Sequence, residues 1–213
     1  MVFLKFQFES ELLPLKNPMS HRPFQDKSVE TTIHWSHQDS PKVGLILTAS
    51  RGLALIASQA LEAGEKLMAF DGALHRWGST TRNLQNKPPL FLRDHCIQTG
   101  EGQSRDSTGL ARYANHSCEP NCGITDLIWI TAMKPIAPGT ELTWDYAMTE
   151  DNDWFLSCSC GSPQCRGVIA GYRHLPPAKR LAYHGFISQW LLERPRPYVG
   201  PAEDPTLRIP KAG

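Results

Sequence analysis

The pattern of apolar and polar positions changes character near residue 43. Upstream, residues 1–41 are polar, interrupted by Pro14, Pro18, Pro23 and Pro41, and hold no sustained periodicity, which predicts an N-terminal arm. From Val43 the runs VGLILTA and LALIASQAL flank Ser50-Arg51-Gly52 and read as strand, tight turn, strand. LEAGEKLMAFDG continues with a Gly-Glu turn and a strand that ends at Gly72. Residues 73–109 are harder to read: Pro88-Pro89 forbids helix locally, GEGQSRDSTG has loop composition, and one strand is expected near Phe91 to Gln98. LIWITAM (Leu127 to Met133) and TELTWDY (Thr140 to Tyr146) then read as strands around the turn KPIAPG. Residues 176–193 carry helical apolar spacing opened by prolines and weakened by Gly185, and the last twenty residues form a proline-rich tail. Short strands punctuated by glycine predict a mainly β fold of small curled sheets, with a C-terminal helix.

Composition narrows the function classes. With 213 residues, 40% of them hydrophobic, the chain can bury one real core. A formal charge of +1 leaves no basic surplus for non-specific nucleic-acid binding, so no direct nucleic-acid partner is expected. No apolar run is long enough to cross a bilayer, and MVFLKFQFESELLPL carries acids where a signal peptide would be uninterrupted, so an intracellular protein without a membrane partner is expected.

The candidate chemistry is concentrated in three segments. The first, RYANHSCEPNC (Arg112 to Cys122), combines an Asn-His pair, two thiols and a proline in eleven residues. In the second, ELTWDY, alternation places Leu142, Trp144 and Tyr146 on one face and Thr143 and Asp145 on the other; the first face would either line a cavity with aromatics or pack them into a core. The third, CSCGSPQC, presents Cys158, Cys160 and Cys165 as C-x-C-x4-C. A C-x-C pair closes a disulfide only with strain but can offer two thiolates to one metal, and Gly161 and Pro163 let the loop bring back the third. A tetrahedral site then requires a fourth ligand, for which Cys118 and Cys122 are the candidates. Cys96 reads as a core cysteine, and His34 and His37, with no third ligand near, as surface histidines.

These segments together resemble the SET domain with a post-SET motif, the fold of protein-lysine methyltransferases. The residues that carry the resemblance are Arg51-Gly52, Arg112 to Asn121, Gly139 to Tyr146 and Cys158 to Gly167, and it covers about residues 43–170. It implies a SET domain over 42–149 and a zinc-bound post-SET motif over 154–170, and leaves the N-terminal arm over 1–41 and the helical extension with a proline-rich tail over 171–213, both read from composition and spacing, unexplained. It also implies small β-sheets knotted so that the NHSC segment threads beneath the loop bearing ELTWDY, an exception to unthreaded topology.

Carried over residue by residue, the resemblance implies S-adenosyl-L-methionine held by Arg51, Gly52, Leu53, Arg112, Asn115 and His116, the last chiefly through its backbone. Tyr146 becomes the catalytic phenol, and Trp144 and Tyr146 line the channel for a substrate lysine. Zinc is held by Cys118, Cys158, Cys160 and Cys165, leaving Cys122 a non-ligand. The implied partner is a protein with an exposed lysine, a histone tail first, acted on by a monomer in the nucleus of a eukaryote or the cytoplasm otherwise. Three departures stand out: Ser50 and Ala54 where the family commonly has glycine, Trp144 where it has Phe or Tyr, and no further Tyr near Phe91 to Gln98. The first keeps open a scaffold with little turnover, and a methyltransferase of a non-histone protein is a further alternative. The second raises the expectation that the indole restricts the product to monomethyl-lysine.

Overall fold

The structure is a computed structural model that describes residues 24–26, 29–31, 34–48, 51–76, 95–151 and 154–193. Ser50, Pro88-Pro89 and the proline-rich tail lie outside the described residues. Fourteen short strands are present among those described: β1 (Phe24–Asp26), β2 (Val29–Thr31), β3 (Val43–Thr48), β4 (Gly52–Ala57), β5 (Lys66–Ala69), β6 (Leu74–Arg76), β7 (Ile97–Gly100), β8 (Gln103–Arg105), β9 (Asn115–His116), β10 (Cys122–Thr125), β11 (Trp129–Ala132), β12 (Thr143–Trp144), β13 (Leu156–Ser157) and β14 (Val168–Ile169). They form six small sheets: β1-β2, β3-β4, β10-β11-β5, β6-β8-β7, β12-β9 and β13-β14. The mainly β expectation holds.

The β3-β4 hairpin is the most regular piece, paired antiparallel from Val43↔Ala57 to Thr48↔Gly52. Its turn is closed by Thr48, whose hydroxyl accepts from the Arg51 N–H (3.1 Å) and donates to the Gly52 carbonyl (2.8 Å). Gly52 sits at φ +69, a region that side chains disfavour, which explains a glycine there. Val43, Leu55, Leu67, Met68, Ile97, Leu110, Ile124, Ile130 and Leu142 are buried in one cluster that draws on four of the sheets and the loops between them. Each such side chain contributes about 1.5–3 kcal/mol relative to exposure.

Several boundaries differ from expectation. The strand near Phe91 to Gln98 is β7, displaced to Ile97–Gly100, and residues 91–94 lie outside the described set. The strand over Thr140 to Tyr146 contracts to β12, because its partner β9 is only two residues long and Asp145 then starts a turn, its carboxylate accepting from the Ala147 N–H (3.2 Å). Both faces of that segment are buried, so the alternation does not separate core from solvent: Thr143 and Asp145 are as enclosed as Leu142 and Trp144. The C-terminal helix is two short ones, α1 (Pro177–Ala182) and α2 (Gln189–Glu193), broken where Gly185 adopts φ +83.

These pieces are not a loose appendix. Leu175, Tyr183, Ile187, Trp190 and Leu191 belong to the core cluster. The Ile124 N–H donates to the Phe186 carbonyl (2.9 Å), the Trp190 indole to the Thr149 carbonyl (2.9 Å), and the Ser188 N–H to the Met148 carbonyl (2.8 Å). Gly123 permits this docking, since a Cβ there would lie 2.5 Å from the Phe186 Cβ.

Candidate active site

The parallel pairing of β9 with β12 aligns Asn115 with Thr143 and His116 with Trp144. Asn121 secures the crossing as a side-chain bridge: its amide donates to the Glu141 carbonyl (2.7 Å) and its carbonyl accepts from the Thr143 N–H (2.9 Å). Segments about thirty residues apart are thereby locked side by side, in a register that depends on one buried amide.

Two cavities meet at this crossing. The larger, about 460 Å³, is walled by Phe70, Ile97, Trp144, Tyr146 and Trp154 and reaches Cys96, Arg112 and Glu150. The smaller, about 160 Å³, lies among Arg51, Asn115, His116, Tyr146 and the cysteine loop at Cys158 and Cys160. Tyr146 lines both. Its ring lies 5.0 Å from the Trp144 ring and 5.2 Å from the His116 ring, and its hydroxyl donates to the Ala114 carbonyl (3.3 Å). Burial pushes the phenol up to about 12, against the opposing pull of the His116 contact and Arg51, so Tyr146 is neutral at physiological pH.

Of the residues expected at the cofactor, Arg51, Asn115 and His116 border the smaller cavity, and the Leu53 carbonyl accepts from the Asn115 amide (3.4 Å). Arg112 borders the larger cavity instead, its carbonyl 3.1 Å from His95 Nδ1. Ala54 is fully buried in β4. Glu141 was missed by the sequence reading: it pairs with the Arg51 guanidinium and accepts from the Asn115 amide (3.1 Å), tying the β3-β4 turn to the crossing. The opposite charges were visible in the sequence, but nothing local pairs residues ninety positions apart.

Asp145 was also missed. It is fully buried and takes two bonds from Arg166 (2.5 and 2.9 Å) and one from the Tyr183 hydroxyl (3.1 Å). One carboxylate thus joins the crossing, the cysteine loop and the C-terminal extension. Its pairing holds the Arg166 guanidinium above its usual range, outweighing the opposing effect of burial. Burial pushes His116 down to about 4, with Asp145 opposing and Arg166 assisting, so its ring is neutral. Because Nδ1 accepts from the Tyr146 N–H (3.4 Å), the proton is assigned to Nε2, which lies 3.4 Å from the Cys118 sulfur.

The sulfurs of Cys118, Cys158, Cys160 and Cys165 all lie within 4.8 Å of one another. Cys118 and Cys158 are 3.8 Å apart, far beyond a disulfide of about 2.05 Å. Four sulfurs about 2.3 Å from a central ion would stand about 3.8 Å apart, so the spacing fits a tetrahedral metal. Backbone N–H groups point at two of the sulfurs: Arg166 donates to Cys118 and Gly167 to Cys165, each at 3.4 Å. Burial raises the Cys160 thiol, but the N–H groups of Cys118 and Ser162 and the neighbouring thiols outweigh it and bring it down to about 6. Cys122 is buried in β10, apart from this group, and burial pushes it up to about 12. Among the described residues, His34 and His37 join no such cluster.

The SET domain family model matches residues 52–147. This segment is a SET domain. Similar curated proteins include the histone-lysine N-methyltransferase trithorax of Drosophila virilis, 30% identical over 171 residues (76% of this chain, 4% of that protein). Another is the histone-lysine N-methyltransferase trr of Drosophila melanogaster, 45% identical over 128 residues (54% of this chain, 5% of that protein). The chain spans 4% to 28% of the length of the first relatives it matches. Among solved structures, Arabidopsis thaliana SUVH6 in complex with SAM is similar with a TM-score of 0.47 and 19% identity, over 60% of this chain and 32% of that one.

Proposed function

We propose that the protein is an S-adenosyl-L-methionine-dependent protein-lysine N-methyltransferase acting on histone lysine. The observation that carries this reading is Tyr146 on the wall shared by two cavities, one polar and bordered by Asn115 and His116, the other aromatic. The histone-lysine N-methyltransferase names of the relatives support the substrate class and a nuclear place of action.

In this reading Arg51, Gly52, Leu53, Asn115 and His116 hold the methyl donor. Arg112, which borders the other cavity, acts on the peptide side instead. S-adenosyl-L-methionine supplies, when bound, an electrophilic methyl whose bond to sulfur breaks as the bond to nitrogen forms. The task left to the chain is alignment, because fixing two reactants at attack distance removes much of the barrier. Trp144 and Tyr146 enclose the lysine side chain, strip its water and so lower the amine's affinity for its proton. Their π faces still attract a methylated, cationic head. Neutral Tyr146 orients the amine through its hydroxyl. Cys118, Cys158, Cys160 and Cys165 would hold a zinc ion, which would supply the cross-link for the loop that walls the smaller cavity.

The test is incubation with labelled methyl donor and histones, comparing wild type with Tyr146→Phe. Label on histone lysine that falls sharply in the variant is the expected result. No label above background in wild type, despite measurable donor binding, would replace this reading with a scaffold. Mass spectrometry addresses Trp144: monomethyl-lysine is expected, and a trimethyl product would sink the restriction assigned to the indole.

A further inference from the structure

Away from the cysteine loop, the described residues hold one other convergence of metal-binding atoms. His75, Cys96 and Asp106, all half-buried, bring a ring nitrogen, a sulfur and a carboxylate oxygen within 4.8 Å of one another. The sheet β6-β8-β7 explains why. Ile97 pairs with Arg105, so one step further along the ladder Cys96 stands opposite Asp106. His75 pairs with Ser104, and Asp106 lies two residues beyond Ser104, hence on the same face of the sheet as His75. Three ligand types thus share one face at the end of a three-stranded sheet.

We propose that His75, Cys96 and Asp106 form a second metal site, which takes a borderline divalent transition ion of the zinc class with water in the fourth position. A mixed nitrogen, sulfur and oxygen set disfavours the hard cations calcium and magnesium, which take oxygen ligands. Three protein ligands are the number found at open rather than closed zinc sites. The carboxylate is already aimed: its Oδ1 accepts from the Ser107 N–H (2.7 Å), and its backbone is pinned by the bonds from Gly72 N–H to its carbonyl (2.9 Å) and from its own N–H to Ala73 (3.0 Å). Such outer contacts pre-orient a ligand. Cys96 borders the larger cavity as well, so the ion adds positive charge to that wall.

The site stands independently of the methyltransferase reading and is tested by binding alone. The full chain, stripped with a chelator, is titrated with cobalt(II), whose thiolate charge-transfer absorption reports sulfur ligation. Cys96→Ser and His75→Gln are each expected to take up about one equivalent less than wild type, as the loss of a ligand from a three-ligand site weakens it severely. Retained absorption from the four-cysteine cluster reports that the variants are folded. His75→Gln leaves every thiol in place, so its loss of uptake cannot come from a missing cysteine. Equal cobalt uptake by wild type and both variants overturns the proposal.

Discussion

The crossing of β9 with β12 and the cysteine loop border the same smaller cavity, yet they are held by different forces. At the crossing, Leu142, Trp144, Asp145 and Met148 are buried, the Asn121 side chain clasps the Glu141–Thr143 backbone, and the core surrounds both strands. The loop has little of this. Phe155 and Leu156 are more than half exposed, β13 and β14 are two residues each, and the convergent atoms are four sulfurs. One wall of the site is folded by the chain's own apolar burial and hydrogen bonds. The other has little apolar burial of its own, and what converges there is a four-sulfur set able to hold a metal ion.

The sharpest way to break this contrast is to remove the metal. Chelation, or Cys160→Ser, is expected to abolish methyl transfer, by more than about 100-fold, while amide exchange in β3 and β4 stays protected. Full activity after verified metal loss, or melting of the hairpin with the loop, would show that the two walls are one unit. Next comes Tyr146→Phe, expected to lower kcat about 100-fold through lost orientation with donor affinity nearly unchanged. An equal loss in donor binding, measured by calorimetry, would move Tyr146 from alignment to binding.

Arg166→Ala tests the strut between the walls. It leaves the fully buried Asp145 without its guanidinium, and breaking such a buried pair costs about 3–5 kcal/mol, read from denaturant unfolding. A loss below about 1 kcal/mol would mean that the pair behaves as an exposed one.

A pH series gives a smaller effect. An unfolded tyrosine titrates near about 10, whereas burial holds Tyr146 at about 12 in the folded protein. Its contribution to stability is therefore fully present below about pH 10 and is lost as pH rises towards 12. Tyr146→Phe should lose less stability than wild type across that window. Smallest of all, Glu141→Gln removes a partly exposed pair with Arg51 and should change stability by less than about 1 kcal/mol.

Much of the candidate site was legible in the chain because its residues sit inside dense local patterns. Asn115, His116 and Cys118 fall within eleven residues, and Cys158, Cys160 and Cys165 within eight. The hairpin of β3 and β4 was legible for a similar reason, since apolar runs and a turn glycine are neighbours in sequence. The rest was not. Arg112 belongs to the same motif as Asn115 but faces the other cavity, and a motif does not state direction. The two helices that replace one are separated at Gly185, which has a positive φ next to Phe186, the residue packed against Gly123.

The sequence by itself determined which side chains are available: an Asn-His pair, three clustered cysteines with two candidates for a fourth, two aromatics on a short strand and a mainly β pattern. Only the tertiary structure decided which of them meet. Asp145 joins Arg166 and Tyr183 and Glu141 joins Arg51 across long separations, and Cys96 is brought to Asp106 at the end of the next strand and to His75 further off. The physical reason is that periodicity records burial against the nearest elements, whereas a long-range polar contact is selected by the whole packed core. Tyr146 shows both halves: its type was plain in ELTWDY, but its place between two cavities exists only once β9 has paired with β12.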